Sequence, residues 1–251
     1  MALRIALISD IHGNLVALDA VLADIARHGV DRIVCLSDLA MSGPRPREVV
    51  VRVRTLGCPV VKGNCDDLVV EMRATGRPHD AAIARWAVEI DHWSATQLSS
   101  SDLAYLRSLP PTVDVPLGDG ATLLCVHGSP SSYTDRILPD TLDERLDALL
   151  LPLPPGVRAM ASGHTHIPLA RRYRGVTIVN PGSVGLPLAR DPATGALYNP
   201  ASLAEYTLVT WRDGALDVTQ RRVTVDERTV RLDAAASGMP HPERWRGDWS
   251  I

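Results

Sequence analysis

Hydrophobic residues in the first part of the chain alternate between short continuous runs and stretches with helical spacing. Leu3 to Ile8 is a continuous aliphatic run, the pattern of a strand that is buried on both faces. Asn14 precedes an amphipathic stretch and is suited to cap that helix. Two more short strands and a helix are predicted at Arg32 to Leu36, Pro59 to Lys62 and Pro46 to Leu56. The alternation predicts a sheet that begins parallel.

The second half of the chain has a different pattern. Residues from about 78 to 109 have helical spacing, and Ser101 is the expected cap of a helix over Asp102 to Leu109. Thr112 to Leu117 and Ala121 to Val126 flank a glycine turn and predict a hairpin, so we expect largely antiparallel pairing from here on. The remaining predicted elements are a helix at Leu142 to Leu151 and strands at Arg158 to Ala161, Leu169 to Tyr173, Val176 to Val179, Ala204 to Trp211 and Ala215 to Val225.

These elements predict one α/β domain with two stacked sheets over residues 1–225, including a helical insert at about 78–109. Residues 226–251 are polar and carry two prolines together with Trp245 and Trp249. They predict an irregular C-terminal tail that packs through its tryptophans.

Composition narrows the class of protein. A chain of 251 residues with 45% hydrophobic content can bury one sizeable core, and its net charge of −3 gives no indication of a nucleic-acid or membrane partner. The cysteines (Cys35, Cys58, Cys65 and Cys125) form no CxxC pair, and the first apolar run is too short for a signal peptide. We therefore expect a cytoplasmic protein, with Cys35, Cys58 and Cys125 as small core residues.

Five short polar clusters directly follow apolar strand runs. In chain order they are Ser9 to Asn14, Ser37-Asp38, Gly63-Asn64-Cys65-Asp66, Val126-His127-Gly128 and Gly163-His164-Thr165-His166. All should open at the carboxyl ends of strands, where α/β sheets place their ligands. If the backbone stays extended, Asp10 and His12 point the same way, as do His164 and His166, so that each pair can bind one site.

Together these clusters offer oxygen and nitrogen donors for two cations if one carboxylate bridges them. The candidate ligands are Asp10, His12, Asp38, Asn64, His127, His164 and His166. Two divalent cations with two carboxylates and a hydroxide leave a net positive site, which should attract a phosphate anion.

The order and the residue types of these clusters resemble those of the calcineurin-like metallophosphoesterase family, whose motifs are D-x-H, G-D, G-N-H-D, histidine-glycine and G-H-x-H. The resemblance extends from Ser9 to about Gly185. The resemblance implies a four-layer α/β/β/α sandwich of two mixed sheets and a metal-dependent phosphoesterase. It implies one cation on Asp10, His12, Asp38 and His166, and a second on Asp38, Asn64, His127 and His164. Asp38 would bridge them, and a bridging hydroxide would attack phosphorus in line. We expect Mn²⁺, with Fe, Zn²⁺ and Ni²⁺ as alternatives.

The sequence departs from this family at Ser37, where glycine is usual and a small hydroxyl should be tolerated, and at Cys65, where many members have histidine. Some bacterial members with G-N-C-D look like phosphodiesterases. A thiol is a poorly matched acid for a leaving group at neutral pH, and a cationic site should favour its thiolate. We therefore count Cys65 with Asp38, Asn64 and His127 among the candidate catalytic residues, while a small pocket residue without a catalytic role is an equal alternative for Cys65.

Further polar residues allow two interpretations each. Asn14 could contact substrate or only cap its helix; Arg45 could bind a phosphate or lie exposed in a loop. Asn180 and Ser183 could bind an anion or only form a tight turn. Asp66 could accept a hydrogen bond from a ligand histidine or only cap a helix.

The predicted function is therefore a two-cation phosphoesterase that acts on small phosphodiesters or nucleotide-like esters. A phosphomonoesterase, a Ser/Thr protein phosphatase and a non-catalytic protein-interaction scaffold of the same fold are the alternatives. The pattern indicates neither a membrane partner nor a dedicated nucleic-acid surface.

Overall fold

The computed structural model describes residues 2–76, 84–150, 152–191 and 193–245. Its strands are β1 (Leu3–Ile8), β2 (Arg32–Cys35), β3 (Val113–Gly118), β4 (Ala121–Cys125), β5 (Val157–Ala161), β6 (Leu169–Tyr173), β7 (Val176–Asn180), β8 (Ala189–Arg190), β9 (Leu197–Tyr198), β10 (Leu203–Arg212) and β11 (Ala215–Thr224). Its α-helices are α1 (Leu15–Ile25), α2 (Pro46–Leu56), α3 (Asn64–Thr75), α4 (Arg85–Gln97), α5 (Ser100–Ser108), α6 (Asp143–Leu150) and α7 (Glu227–Ala236). In these described ranges, no helix has the length and apolar content to cross a membrane.

The strands form two mixed sheets and a small hairpin of β8 and β9. The first sheet has the order β11-β10-β1-β2, in which β1 pairs parallel with β2 and antiparallel with β10. The second has the order β3-β4-β5-β7-β6. The expected antiparallel pairing is wrong at the centre of this sheet, where β4, β5 and β7 are parallel. Because α6 crosses from the end of β4 back to the start of β5, only the hairpins β3–β4 and β6–β7 are antiparallel.

The predicted four-layer sandwich is confirmed. Side chains from both sheets meet in an inner core that includes Leu7, Leu36, Leu123 and Val179. The other face of the first sheet packs against the larger group of helices, from which Leu18, Val53, Val69 and Ile90 contribute to one core. The other face of the second sheet packs against α6 through Leu146, Leu149 and Leu150. Each sheet is therefore covered on both faces, as strands with continuous apolar runs require.

Element boundaries agree with the sequence pattern at the start of α1 and at both ends of α2, and they differ in the middle of the chain. Pro59 to Lys62 forms no strand, because only Val60 makes a parallel bridge, to Cys35. The helical insert consists of α4 and α5, and its first residues, up to 83, lie outside the described residues. The cap of α5 is Ser99, two residues before the expected Ser101, and it pairs with Asp102 in a capping box.

The prediction of an irregular tail from residue 226 is wrong over its first part. Asp226 caps α7, and the buried Val230 and Ala234 lie one helical turn apart on its inner face. Only these two residues form the apolar stripe, so the helix could not be recognised in a segment of mostly polar composition. Trp245 is buried in the same core, as the tail prediction expected of its tryptophans. Trp249 lies outside the described residues.

Candidate metal centre

The candidate ligands converge at the carboxyl ends of neighbouring strands. Asp10 and His12 follow β1, Asp38 follows β2, His127 follows β4, and His164 and His166 follow β5. Asn64 is the first residue of α3. These residues come from both sheets and are buried or partly buried. The site therefore lies at the strand ends where the sequence predicts it.

The backbone at these residues is not extended as expected. Six positions in or beside the clusters have positive φ: Asp10 (54°), His12 (47°), Ser37 (80°), Asp38 (53°), His164 (67°) and His166 (56°). Left-handed residues other than glycine are uncommon, and their strain concentrates at functional sites. Alternation along a strand therefore does not explain the convergence of the side chains. Tight turns directly after each strand point them into the site.

The first group of donors is formed by Asp10, His12 and His166, whose ligand atoms lie within 4.8 Å of one another. Nε2 of His166 is 3.3 Å from Oδ1 of Asp10, and Nε2 of His12 is 3.9 Å from the same oxygen. The two Nε2 atoms are 3.1 Å apart. One cation could bind among these three side chains.

The second group is formed by Asp38, His127 and His164, also within 4.8 Å. Nε2 of His127 is 3.2 Å from Oδ2 of Asp38 and 3.0 Å from Oδ1 of Asn64. The same Asp38 oxygen is 3.9 Å from Nε2 of His12 in the first group, so Asp38 lies between the groups, where a bridging ligand would have to be. His164 and His166 fall into different groups. This division agrees with the one that the family resemblance implies, and it contradicts the argument from an extended backbone that the pair binds one site.

The hydrogen bonds of the histidine rings fit a divalent cation. The Nδ1 atoms of three rings donate to backbone carbonyls: His12 to Met41 at 3.1 Å, His127 to Leu36 at 2.7 Å and His166 to Leu186 at 2.7 Å. A neutral ring held in this way presents a lone pair at Nε2, the usual arrangement of a metal-ligating histidine. These lone pairs face one another or face carboxylate and amide oxygens. Such acceptors repel unless a proton or a cation lies between them.

The same proximity changes the acidity of the ligands. Burial opposes the charge of His127, but the Asp38 carboxylate outweighs it and raises the pKa of His127 to about 10. Burial also opposes the charge of Asp38, and His127 nevertheless holds the pKa of that carboxyl well below its usual range. Burial lowers the pKa of His12 to about 4. Negative charge is thus concentrated on Asp38, which favours cation binding.

Cys65 lies closer to this centre than the sequence indicated. Its sulfur forms a third group with ligand atoms of His12 and Asp38, again within 4.8 Å. Its backbone N–H donates to Oδ1 of Asp38 at 3.0 Å, and its sulfur accepts a hydrogen bond from Nδ2 of Asn64 at 3.4 Å. Sequence reasoning considered Cys65 only as an acid or a pocket residue and missed it as a possible donor. Its position directly after Asn64 was the available signal.

Gly63 and Gly163 lie so close to the carboxylate ligands that no larger residue fits at these two positions. A Cβ atom on Gly163 would contact Oγ of Ser9 and lie 2.8 Å from Oδ2 of Asp10. A Cβ on Gly63 would contact Oδ1 of Asp38 even more closely. Real Cβ atoms essentially never approach an oxygen so closely. The glycine that precedes the ligand in these two clusters therefore makes room for a carboxylate from another strand.

Three of the four predicted substrate contacts are occupied by structural hydrogen bonds. Asn14 caps α1 through Ala17 N and donates to Gly185 O at 3.2 Å. Asn180 donates to Gly163 O at 2.7 Å, which links β7 to the loop that carries His164. Ser183 donates to Asp10 O at 2.7 Å. All three side chains are buried, and these hydrogen bonds fit the structural interpretation of each residue. Substrate contact by these three residues stays a prediction.

Arg45, the fourth predicted substrate contact, is held by a carboxylate of α7. Its Nε is 2.8 Å from Oδ1 of Asp233 and its terminal nitrogen 2.6 Å from the same oxygen. The guanidinium is thus already paired, and the phosphate-binding prediction is not supported.

Asp66 accepts hydrogen bonds from Ser37 Oγ, from Leu39 N at 3.1 Å and from Gly63 N at 3.1 Å. It therefore fixes the loops around Asp38 and the start of α3 instead of orienting a histidine. Ser37, which replaces the usual glycine, has a left-handed backbone conformation, and its hydroxyl donates a hydrogen bond to Asp66.

Comparison with known proteins shows the family to which the chain belongs. Residues 3–202 match the family model of the calcineurin-like phosphoesterase superfamily domain. A curated relative, the uncharacterized protein MJ0912 of Methanocaldococcus jannaschii, is 30% identical over 203 residues, which are 80% of this chain and 76% of that protein. Phosphodiesterase YfcE of Escherichia coli is 26% identical over 74% of this chain and 82% of its own.

Solved structures agree in fold. The crystal structure of a metallophosphoesterase from Sphaerobacter thermophilus has 33% sequence identity and a TM-score of 0.71, with 95% of each chain covered. The hypothetical protein PH1004 from Pyrococcus horikoshii OT3 has 23% identity and a TM-score of 0.77 over 95% of each chain. Together with the family match over most of its length, these relatives identify the chain as a member of the calcineurin-like phosphoesterase superfamily.

Proposed function

We propose that the protein is a phosphoester hydrolase that works with two divalent cations and acts on small phosphodiesters or nucleotide-like esters. The observation that carries this proposal is the pair of neighbouring donor groups, each containing one carboxylate and two histidines, with the Asp38 carboxylate of the second group 3.9 Å from His12 of the first. We expect Mn²⁺ as the activating ion. In this proposal one domain, from residue 1 to about 225, carries the site, and α7 packs onto it.

In this proposal the ligands are distributed over two ion positions. Asp10, His12 and His166 would hold one ion, His127, His164 and Asn64 the other, and Asp38 both. When bound, the cations would supply a hydroxide nucleophile and offset charge on the phosphate oxygens. The backbone carbonyls of Met41, Leu36 and Leu186 keep three histidine rings oriented with Nε2 inward. The ligands are therefore held in position before an ion arrives.

Two observations support diesters over alkyl monoesters. One relative, YfcE of Escherichia coli, is named a phosphodiesterase. In addition, burial and the neighbouring Asp38 raise the pKa of the Cys65 thiol well above its usual range. In the metal-free protein these neighbours therefore favour the thiol, and a thiol with a raised pKa is an even weaker acid at neutral pH. Either form would give little help to a poor leaving group.

The direct test is hydrolysis of bis-p-nitrophenyl phosphate and of p-nitrophenyl phosphate by metal-stripped protein resupplied with Mn²⁺. Both substrates release the same leaving group, so the comparison isolates the charge and size of the ester. We expect Mn²⁺-dependent turnover that is faster on the diester. Faster monoester cleavage would contradict the diester preference, and no turnover of either ester would count against the hydrolase proposal.

The role of Cys65 has its own test. Cys65→His restores the residue that many family members carry and should increase hydrolysis of an alkyl phosphomonoester, such as glycerol 2-phosphate, by about 10²-fold if proton donation to the leaving group is limiting. Cys65→Ser is the matched control, which changes the side chain without providing a suitable acid. Equal rates for the two variants would contradict the argument.

A further inference from the structure

The loop of residues 41–45, here called the site loop, connects the first donor group to the C-terminal part of the chain. On its inner side, the carbonyl of Met41 accepts the hydrogen bond from Nδ1 of His12, and Arg45 N donates to Gly13 O at 2.8 Å. Gly43 packs so closely on the carbonyl of His12 that a Cβ atom would not fit there. The position of this loop therefore helps to determine the orientation of the His12 ring.

On its outer side, the site loop is held by two residues of the C-terminal segment. Nε1 of Trp245 donates to Ser42 O at 2.7 Å, and Asp233 of α7 forms the ion pair with Arg45. Trp245 is only 2% exposed, so its hydrogen bond is shielded from water. We call Asp233 and Trp245 the C-terminal clasp.

The contacts alternate along consecutive peptide groups. The carbonyl of Met41 faces His12, and the next carbonyl, that of Ser42, faces Trp245. Ser42 has a φ of 70°, a strained conformation that needs support from its surroundings. Its hydroxyl donates to Asp91 of α4 at 2.8 Å, while His241 and Glu89 join the C-terminal segment to the same helix at 2.6 Å. The clasp thus supports the strained turn beside the metal ligand.

We infer that Asp233 and Trp245 are positioning residues of the metal centre, which act through the site loop on His12. Both lie beyond residue 202, where the match to the family domain ends. The inference rests on the proposed function and deepens it. It predicts that loss of the clasp weakens the ion position that contains His12 and leaves the position that contains His127 unchanged, since His127 is held by Leu36 on β2's side of the site.

The test is calorimetric titration of metal-stripped protein with Mn²⁺. Trp245→Phe keeps an aromatic side chain in the core but removes the N–H donor, and Asp233→Asn removes the charge that holds Arg45. Removing an outer partner of a metal ligand costs ~10–100-fold in affinity. Because the clasp lies one contact further out, we expect an increase of about three- to tenfold in one of the two dissociation constants. Leu232→Ala is the control, since Leu232 lies on α7 and is 59% exposed.

The control should bind both ions like the wild type. Hydrogen exchange of the metal-free variants should be faster at the amides of the site loop, which reports the loop without any ion. Unchanged affinities in both clasp variants, or equal weakening at both ion positions, would overturn the inference. If the wild-type protein binds no Mn²⁺, the result contradicts the proposed function and this inference with it. If the wild type binds two ions and the clasp variants bind them with unchanged affinity, the result contradicts this inference alone.

Discussion

His127 is the residue at which a cation and a proton compete most directly for the same side chain. Its pKa is raised to about 10, so the ring of the metal-free protein carries a proton at pH 7.5. The pKa of His12 is lowered to about 4, and that ring is already neutral. Since an imidazole must be neutral at the nitrogen that binds a metal, binding must displace the His127 proton. Affinity should therefore rise with pH up to about 10, well above the histidine value of about 6.5 that an unperturbed ring would give.

Proton release can be measured by titrating Mn²⁺ at pH 7.5 in buffers with different ionisation enthalpies. We expect the apparent binding enthalpy to vary with the buffer and to give at least one proton released per chain. His127→Gln should release fewer protons than the wild type. A binding enthalpy that is independent of the buffer would contradict the raised pKa of His127.

Gly163 offers a second prediction at the scale of single residues. Gly163→Ala would force a Cβ atom against Ser9 and Asp10, and overpacking of this kind costs about 1–3 kcal/mol of stability. Because Asp10 is a candidate ligand, Mn²⁺ affinity should also fall. Gly175→Ala is the matched control: its φ of +83° makes the substitution strained, but the space around it is open and no ligand is near.

The control should lose about 1 kcal/mol of unfolding free energy and keep its metal affinity. Urea unfolding and Mn²⁺ titration of the two variants separate these effects. Equal metal affinity in both variants would show that Gly163 makes no special room for Asp10.

Residue types could be predicted from the motifs, but their conformations could not. Asp10 and His12 stand out by their spacing and by the apolar run before them, whereas nothing in a D-x-H pattern encodes positive φ. The roles of Asn14 and Ser183 depended on partners, Gly185 and Asp10, that lie more than 170 residues away in sequence. Such contacts arise only after the two sheets have stacked.

At the scale of elements, α5 begins at a cap that the sequence pattern placed two residues too late. The Ser99 side chain accepts from Asp102 N at 3.2 Å, and Ser99 N donates to Oδ2 of Asp102 at 3.0 Å. Ser99→Ala should therefore cost about 1 kcal/mol of unfolding free energy. Ser101→Ala, at an exposed position inside the helix, should change it little. Chemical denaturation measures both, and a larger loss for Ser101→Ala would place the cap where the sequence suggested.

Long periodic elements were predictable, while short or weakly patterned ones were not. The α1 and α2 segments have several apolar residues at helical spacing, so their existence, the start of α1 and both ends of α2 follow from the sequence. In α7 only Val230 and Ala234 are buried, too few to distinguish a helix from a polar tail. The parallel centre of the second sheet could not be read from strand patterns, because it depends on the crossover through α6.

At the scale of the whole molecule, the stacking of two sheets creates the centre. Asp10 and Asp38 come from the first sheet, and His127, His164 and His166 come from the second. Neither sheet alone has the donors of either group. The inner core that joins the sheets therefore also holds the ligands together, and the donor geometry should depend on global folding.

The central claim is that these residues bind two divalent cations with Asp38 between them. It is tested most directly by counting Mn²⁺ ions bound to metal-stripped wild-type protein and to Asp38→Asn, with Asp67→Asn as a control at a half-exposed carboxylate of α3 that pairs with Lys62. We predict two ions per chain for the wild type and the control. Asp38→Asn should weaken both positions by more than about 100-fold, since losing a direct ligand exceeds the ~10–100-fold cost of losing an outer partner. One ion or none in the wild type, or weakening of only one position in Asp38→Asn, would contradict the account.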